Sequence, residues 1–232
     1  MITKYFVLDD VSSAEYGIFM SGYPSFGAPS PKFEKVSVPG RNGDLIFEDG
    51  SFENVEGNLK CFILHEQTYD TVAEANKWLL KTGYRRFCYD GDEEAYRLVR
   101  IVNGAEIAVR MKRLDPFEIR LDCKPQRFLL SGEIPMMFTE SGSFDCPAYV
   151  GLPLLHVLGN GTITLNGVTI EISNTSEDFY IDCDTQDAYK GIINMNANIL
   201  AEEFPKIYSG KNELVLSSGI DFAEITPRWY TI

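Results

Sequence analysis

Phe117-Glu118-Ile119-Arg120-Leu121-Asp122-Cys123 places an apolar side chain at every odd position and a charged one at every even position. Successive side chains of a strand point to opposite faces, so this spacing predicts a half-buried strand with Phe117, Ile119, Leu121 and Cys123 facing a core. Outward from it, Asn58–Leu64 and Tyr96–Val102 are short, β-rich apolar runs. Asn103-Gly104 is a dipeptide suited to a tight hairpin, which would return the chain as a strand over Ala105–Arg110. Lys124-Pro125 is expected to end the alternating strand, because proline cannot donate to a ladder.

One helix is predicted in this first half. Thr71 and Glu74 have capping-box spacing, Val72, Ala75 and Leu79 recur on one face with Trp78 and Leu80 beside it, and Gly83 supplies a stop. Residues 125–153 are punctuated by Pro125, Pro135, Ser141-Gly142-Ser143, Pro147, Gly151 and Pro153. Beyond them the pattern is again β, with Gly159-Asn160-Gly161 and Asn166-Gly167 as tight turns. Further strands are expected over Phe179–Cys183, Glu213–Leu216 and Phe222–Ile225, spaced as in a sandwich. At 232 residues, two domains are expected, 1–132 and 133–232.

Charge steps at the same place. The net charge is −13, from 21 basic and 34 acidic residues; residues 133–232 hold four basic groups (Lys190, Lys206, Lys211, Arg228) and 14 acidic ones, leaving 17 and 20 for residues 1–132. A nucleic-acid grip relies on Lys and Arg neutralising phosphates, so the second half is a poor candidate. The basic run Arg85–Arg127 alternates with apolar residues, as a solvated sheet face does. No specific nucleic-acid binding is expected. No stretch approaches the ~20 apolar residues of a membrane helix, and Met1–Val7 meets Asp9 and Asp10 before any apolar run develops. The expectation is a soluble protein made in a cytoplasm, with no membrane insertion.

Catalytic chemistry finds little support. Cys61, Cys88, Cys123, Cys146 and Cys183 are widely spaced with no CxxC pair, so they are expected as reduced thiols filling strand cores. His156 sits in the apolar run Leu154–Leu158 and His65 follows another, and no GxSxG accompanies either. Asp182-Cys183-Asp184-Thr185-Gln186-Asp187 fails as a calcium loop: Gln186 stands at a ligand position, Asp187 at the glycine position, and no closing Glu follows. No catalytic residue, metal or cofactor is expected. Tyr180, Tyr189, Tyr208, Trp229 and Tyr230 could stack on sugars, but a core or interface role is favoured.

Three stretches together resemble the distal tail protein family of phages with long, non-contractile tails. They are Val36-Ser37-Val38-Pro39-Gly40-Arg41-Asn42-Gly43-Asp44-Leu45, then Asp115–Pro125, then a set running through Pro153, Gly159-Asn160-Gly161, Ile181–Asp184, Asp187-Ala188-Tyr189, Phe204-Pro205, Gly210-Lys211-Asn212 and Pro227-Arg228-Trp229. Leu200–Glu203 and the ending Tyr230-Thr231-Ile232 depart from the family's pattern. The resemblance implies a mainly β chain: a tail-tube-type, β-sandwich-like first domain with one α-helix, then a galectin-like β-sandwich. It also implies a non-enzymatic homo-hexameric ring at the virion's tail tip, assembled in the bacterial cytoplasm. Its implied partners are the tail tube protein and a lysin-type hub protein, with a receptor-binding protein as a further candidate. The hairpin residues Pro39, Gly40, Arg41, Asn42, Gly43 and Asp44 are the candidate inter-subunit contact. The alternatives are a carbohydrate- or receptor-binding module of the tail tip, a plain tail-tube subunit, and a glycosidase with paired carboxylates.

Overall fold

The computed structural model describes residues 4–64 and 69–232. The chain is mainly β, with antiparallel strands throughout and two α-helices among the described residues. It divides into two compact units, Met1–Arg127 with Ile232, and Phe128–Thr231. The division falls inside the strand Phe117–Leu129, a few residues before the Glu133 start expected from the sequence.

In the first unit, Phe117–Leu129 runs antiparallel to Val55–Ile63, in register from Phe117↔Cys61 to Cys123↔Val55. Over the paired stretch the odd residues of both strands are buried, as alternation requires. The sheet continues through Asp92–Ile101, Arg85–Tyr89 and Phe6–Leu8 to Val11–Ser12. On its other side Val55–Ile63 pairs with Ile18–Met20 and Ser25–Phe26. The Met20 N–H donates to the Lys4 carbonyl at 2.8 Å, which brings the two ends of the sheet together into a curled wall.

Helix α1, Tyr69–Leu79, closes this core with Val72, Ala75 and Leu79. Trp78 stacks on Phe6 at 5.8 Å and donates from Nε1 to the Leu8 carbonyl at 3.2 Å. The helix starts at Tyr69, so Thr71 lies within it and not at its N-cap; S/T-x-x-E spacing also arises inside a helix, and only an extended first residue makes it a capping box. It ends at Leu79, before Gly83, where the Arg85 guanidinium donates to the Trp78 carbonyl and to Asp9 Oδ2. A cation at the C-terminus satisfies a carbonyl that the helix leaves unpaired.

Two strand expectations are corrected. Gly104–Lys112 is a second helix, α2, burying Ile107 and Met111 one turn apart. A type I′ hairpin needs positive φ at both central residues, whereas Asn103 has φ −117°. Its carboxamide instead bridges the neighbouring strand, donating to the Glu118 carbonyl at 2.7 Å and accepting from the Arg120 N–H at 2.9 Å. Nor does Pro125 end its strand, which continues to Leu129. Pairing with Val55–Ile63 stops at Cys123, so on that side Pro125 has no donor to supply.

The second unit is two antiparallel sheets enclosing one core. One sheet runs in the order Ile199–Ala201, Val168–Ile172, Gly161–Leu165, Ile207–Leu216, Gly142–Gly151, Trp229–Thr231. The other runs Met136–Phe138, Ile220–Thr226, Leu154–Gly159, Phe179–Asp182, Asp187–Lys190, Ile193–Asn194. Ile163, Leu165 and Leu214 of the first meet Leu155, Phe179 and Ile225 of the second, all essentially inaccessible to water. Asn166-Gly167 forms the expected tight turn, with both φ positive and Leu165 opposite Val168.

Candidate inter-subunit surface

Pro31–Val36 and Leu45–Phe52 form a two-stranded sheet that gains no third strand among the described residues. Its pairs are Phe33↔Glu48, Glu34↔Phe47, Lys35↔Ile46 and Val36↔Leu45, after an irregularity near Pro31. Opposed residues share a face, so Phe33 and Ile46 lie on one side, and Val36, Leu45 and Phe47 on the other. The arm therefore carries apolar groups on both faces, interspersed with Lys35 and Glu48 on one and Glu34 on the other. Phe33, Ile46 and Phe47 are 54, 60 and 58% exposed. A lone two-stranded ribbon is marginally stable in water, and both of its edges offer unpaired main-chain groups. This arm has the chemistry of an element that is covered by something else.

The sequence-predicted hairpin residues Pro39, Gly40, Arg41, Asn42, Gly43 and Asp44 cap this arm and are all exposed. The Arg41 N–H donates to the Val38 carbonyl at 3.1 Å, and Gly40 has φ +80°. Proline then glycine with positive φ makes a type II turn, which accounts for Pro39-Gly40 in that order. Gly43, at φ +81°, has open space where a Cβ would go. The apolar faces behind the turn escaped the sequence reading. Their signal was Leu45-Ile46-Phe47, three consecutive apolar residues that must populate both faces of any strand.

The basic run of the first unit is largely engaged internally. Arg85 pairs with Asp9 at 2.7 Å, Arg100 with Asp122 at 2.9 Å, Arg120 with Glu106 at 3.2 Å, and Arg127 with Asp92. Arg86 lies 4.1 Å over the Tyr96 ring and Arg97 4.8 Å over Phe26. These cations are not gathered into an open strip for a polyanion.

The residues weighed for catalysis are dispersed. His156 stacks on Tyr180 at 4.4 Å, with Asp178 2.8 Å from Nε2 and Glu224 3.6 Å from Nδ1. Its side-chain partners among the described residues are two carboxylates and two aromatic rings, which do not make a nucleophile–base pair. Hydrogen bonds from His156 and then Lys190 pull Asp178 down to about 2. His65 lies outside the described residues. Asp182 gives its carboxylate to Arg228 and to the backbone N–H groups of Asp184 and Thr185. Among the described residues no group of three or more His, Cys, Asp or Glu is placed to hold a metal ion.

All five cysteines are free thiols, and burial pushes Cys61, Cys123 and Cys183 up to about 12. Thiols held protonated are poor nucleophiles. Of the aromatics, Trp229 is buried and donates from Nε1 to Ser131 Oγ at 3.0 Å, while Tyr230 meets Phe128 edge-on. Tyr180 stacks between His156 and Tyr189. Tyr208 alone of the five is freely exposed, beside Thr164, Lys211 and Glu213 in a shallow depression. Among the described residues no helix is long and apolar enough to cross a membrane.

No protein-family model matches this sequence, and no curated protein matches it. The fold is similar to a crystal structure described as the SPP1 Dit (gp 19.1) protein, a paradigm of hub adsorption apparatus in phages infecting Gram-positive bacteria. The TM-score is 0.62 over 96% of this chain and 97% of that one, at 11% identity. The likeness thus spans both units in the same order along one chain.

Proposed function

We propose that this chain is a structural subunit of the distal tail tip of a long, non-contractile-tailed phage or prophage, closing into a hexameric ring that joins the tail tube to baseplate and receptor-binding components. The observation that carries this reading is the likeness to SPP1 Dit over nearly the full length of both chains. Such a likeness speaks for fold, and function belongs to surfaces, so the arm supplies the second support. A closed ring needs a heterologous contact, in which one patch meets a different patch on the next copy. An apolar ribbon with open edges suits one side of that contact, through main-chain pairing and burial together. The turn Pro39–Asp44 would lie at its leading end. The tail tube protein and a lysin-type hub protein are the partners this role requires, with a receptor-binding protein as a further candidate, and the work is mechanical, not catalytic.

Negative-stain imaging of the purified protein tests the reading. Rings of six are expected from the intact chain, and isolated folded particles from a variant lacking Arg41–Asp44. Long tubes would favour a plain tube subunit instead.

A further inference from the structure

Four Asn-Gly pairs occur in the sequence, at Asn42, Asn103, Asn160 and Asn166. This dipeptide is chemically labile, because glycine leaves its backbone nitrogen unobstructed and free to swing toward the asparagine side chain. The fold treats the four differently. The Asn103 carboxamide is held at both ends, by the Glu118 carbonyl and the Arg120 N–H. Asn160 is clamped by one residue, donating to the Thr175 carbonyl at 2.7 Å and accepting from the Thr175 N–H at 3.0 Å. Asn166 donates to the Lys206 carbonyl and to Asn212 Oδ1, and accepts from the Glu213 N–H at 3.0 Å. Asn42 has no such clamp. It is exposed at the turn of the arm, and among the described residues neither its carboxamide nor the Gly43 N–H has a hydrogen-bond partner. Gly43 has φ +81° and open space where a Cβ would go, so no neighbouring segment packs against the turn there.

We infer that Asn42 is a site of spontaneous deamidation, the Asn-Gly pair of this chain that its fold leaves free to react. The Gly43 nitrogen, giving up its proton to solvent base, bonds to Asn42 Cγ, and the side-chain nitrogen leaves as ammonia. Water then opens the resulting cyclic succinimide at either carbonyl, giving aspartate or isoaspartate. At the other three positions the carboxamide would first have to break its hydrogen bonds to turn toward the following nitrogen. Reaction at Asn42 adds a negative charge to the turn that already carries Asp44. The isoaspartate form also adds a main-chain carbon between the paired residues Val36 and Leu45. This holds whether or not the chain closes into a ring.

Peptide-map mass spectrometry of the full chain, incubated in mildly alkaline buffer, follows all four sites in one sample. In the folded chain Asn42 should be lost roughly tenfold faster, or more, than Asn103, Asn160 or Asn166, the rate equivalent of the hydrogen bonds holding those three. In denaturant the four rates should draw together, because the clamps are gone and the dipeptide is the same. A folded chain in which Asn42 reacts no faster than the other three overturns the inference. So does an unfolded chain in which Asn42 keeps its full lead, since the fold would then not be the cause. Isoaspartate should appear beside aspartate at position 42, and its absence would overturn attack by the Gly43 nitrogen.

Discussion

The Arg228 guanidinium holds both oxygens of Asp182, Nη1 to Oδ2 at 3.0 Å and Nη2 to Oδ1 at 2.5 Å. The two residues belong to separate motifs, Ile181–Asp184 and Pro227-Arg228-Trp229, and 46 positions separate them. Arg228 is committed further: Nε donates to the Leu152 carbonyl at 2.8 Å and its own N–H to the Gly132 carbonyl at 2.7 Å. It also sits at φ +49°, a conformation that side-chain-bearing residues seldom adopt without surrounding support. One arginine thus ties the last turn of the chain to three other segments of the second unit.

Removing one partner should therefore be costly. Arg228→Ala is expected to destabilise the second unit by roughly 2–4 kcal/mol, somewhat under the ~3–5 of a fully buried pair, because Arg228 keeps some contact with solvent. The pH dependence follows from Asp182. Burial alone would raise its pKa, but Arg228 and the Asp184 N–H outweigh burial and hold it below the ordinary 3.8. A depressed carboxylate contributes stability that is present above its unfolded value and lost as pH falls through its folded one. Asp182→Asn should lower the melting temperature at neutral pH and flatten its fall below about pH 4. Thermal melts across the acid range, intact against variant, would measure both.

Asn103 carries a second prediction. It is 7% exposed, and both ends of its carboxamide serve the Phe117–Leu129 strand. Asn103→Ala would leave the part-buried Arg120 N–H and Glu118 carbonyl short of a partner, at about 1 kcal/mol or somewhat more. Denaturant titration should show a lower midpoint with an unchanged slope. An unchanged midpoint would mean that water replaces the side chain freely.

These residues also mark how far the sequence could be read. Phe117–Cys123 was legible because strict alternation has one structural meaning, and Asn166-Gly167 because both residues tolerate positive φ and the flanking strands pair directly. Asn103-Gly104 is the same dipeptide with the opposite outcome. There the asparagine finds long-range partners in Glu118 and Arg120, and a local pattern cannot register them. Pro125 misled for a related reason: whether a missing donor matters depends on which edge of the strand is paired. The arm was half legible. Its turn is written in Pro39-Gly40 and Asn42-Gly43, but its bare apolar faces emerge only once the ribbon is known to stand without a third strand.

Weak binding to DNA is a further expectation. The net charge of −13 is multiplied by every copy in a ring, and four arginines of the Arg85–Arg127 run are held by carboxylates of the same unit. Affinity for a duplex depends on cations free to displace its counterions. Fluorescence anisotropy with a labelled duplex at physiological salt should give no submicromolar, salt-sensitive binding. Such binding would require an open basic strip, and a tail conduit needs its polymer to slide.

Light scattering on the intact protein over a range of concentrations tests the central claim most directly. Ring assembly predicts a mass that rises to six times the 26.2 kDa of one chain and then stops growing. Replacing Ile46 and Phe47 with serine should hold the mass near one chain while the melting temperature barely changes, because exposed apolar groups contribute little to a subunit's own fold. A mass of one chain at every concentration, with no rings on a grid, would contradict the account.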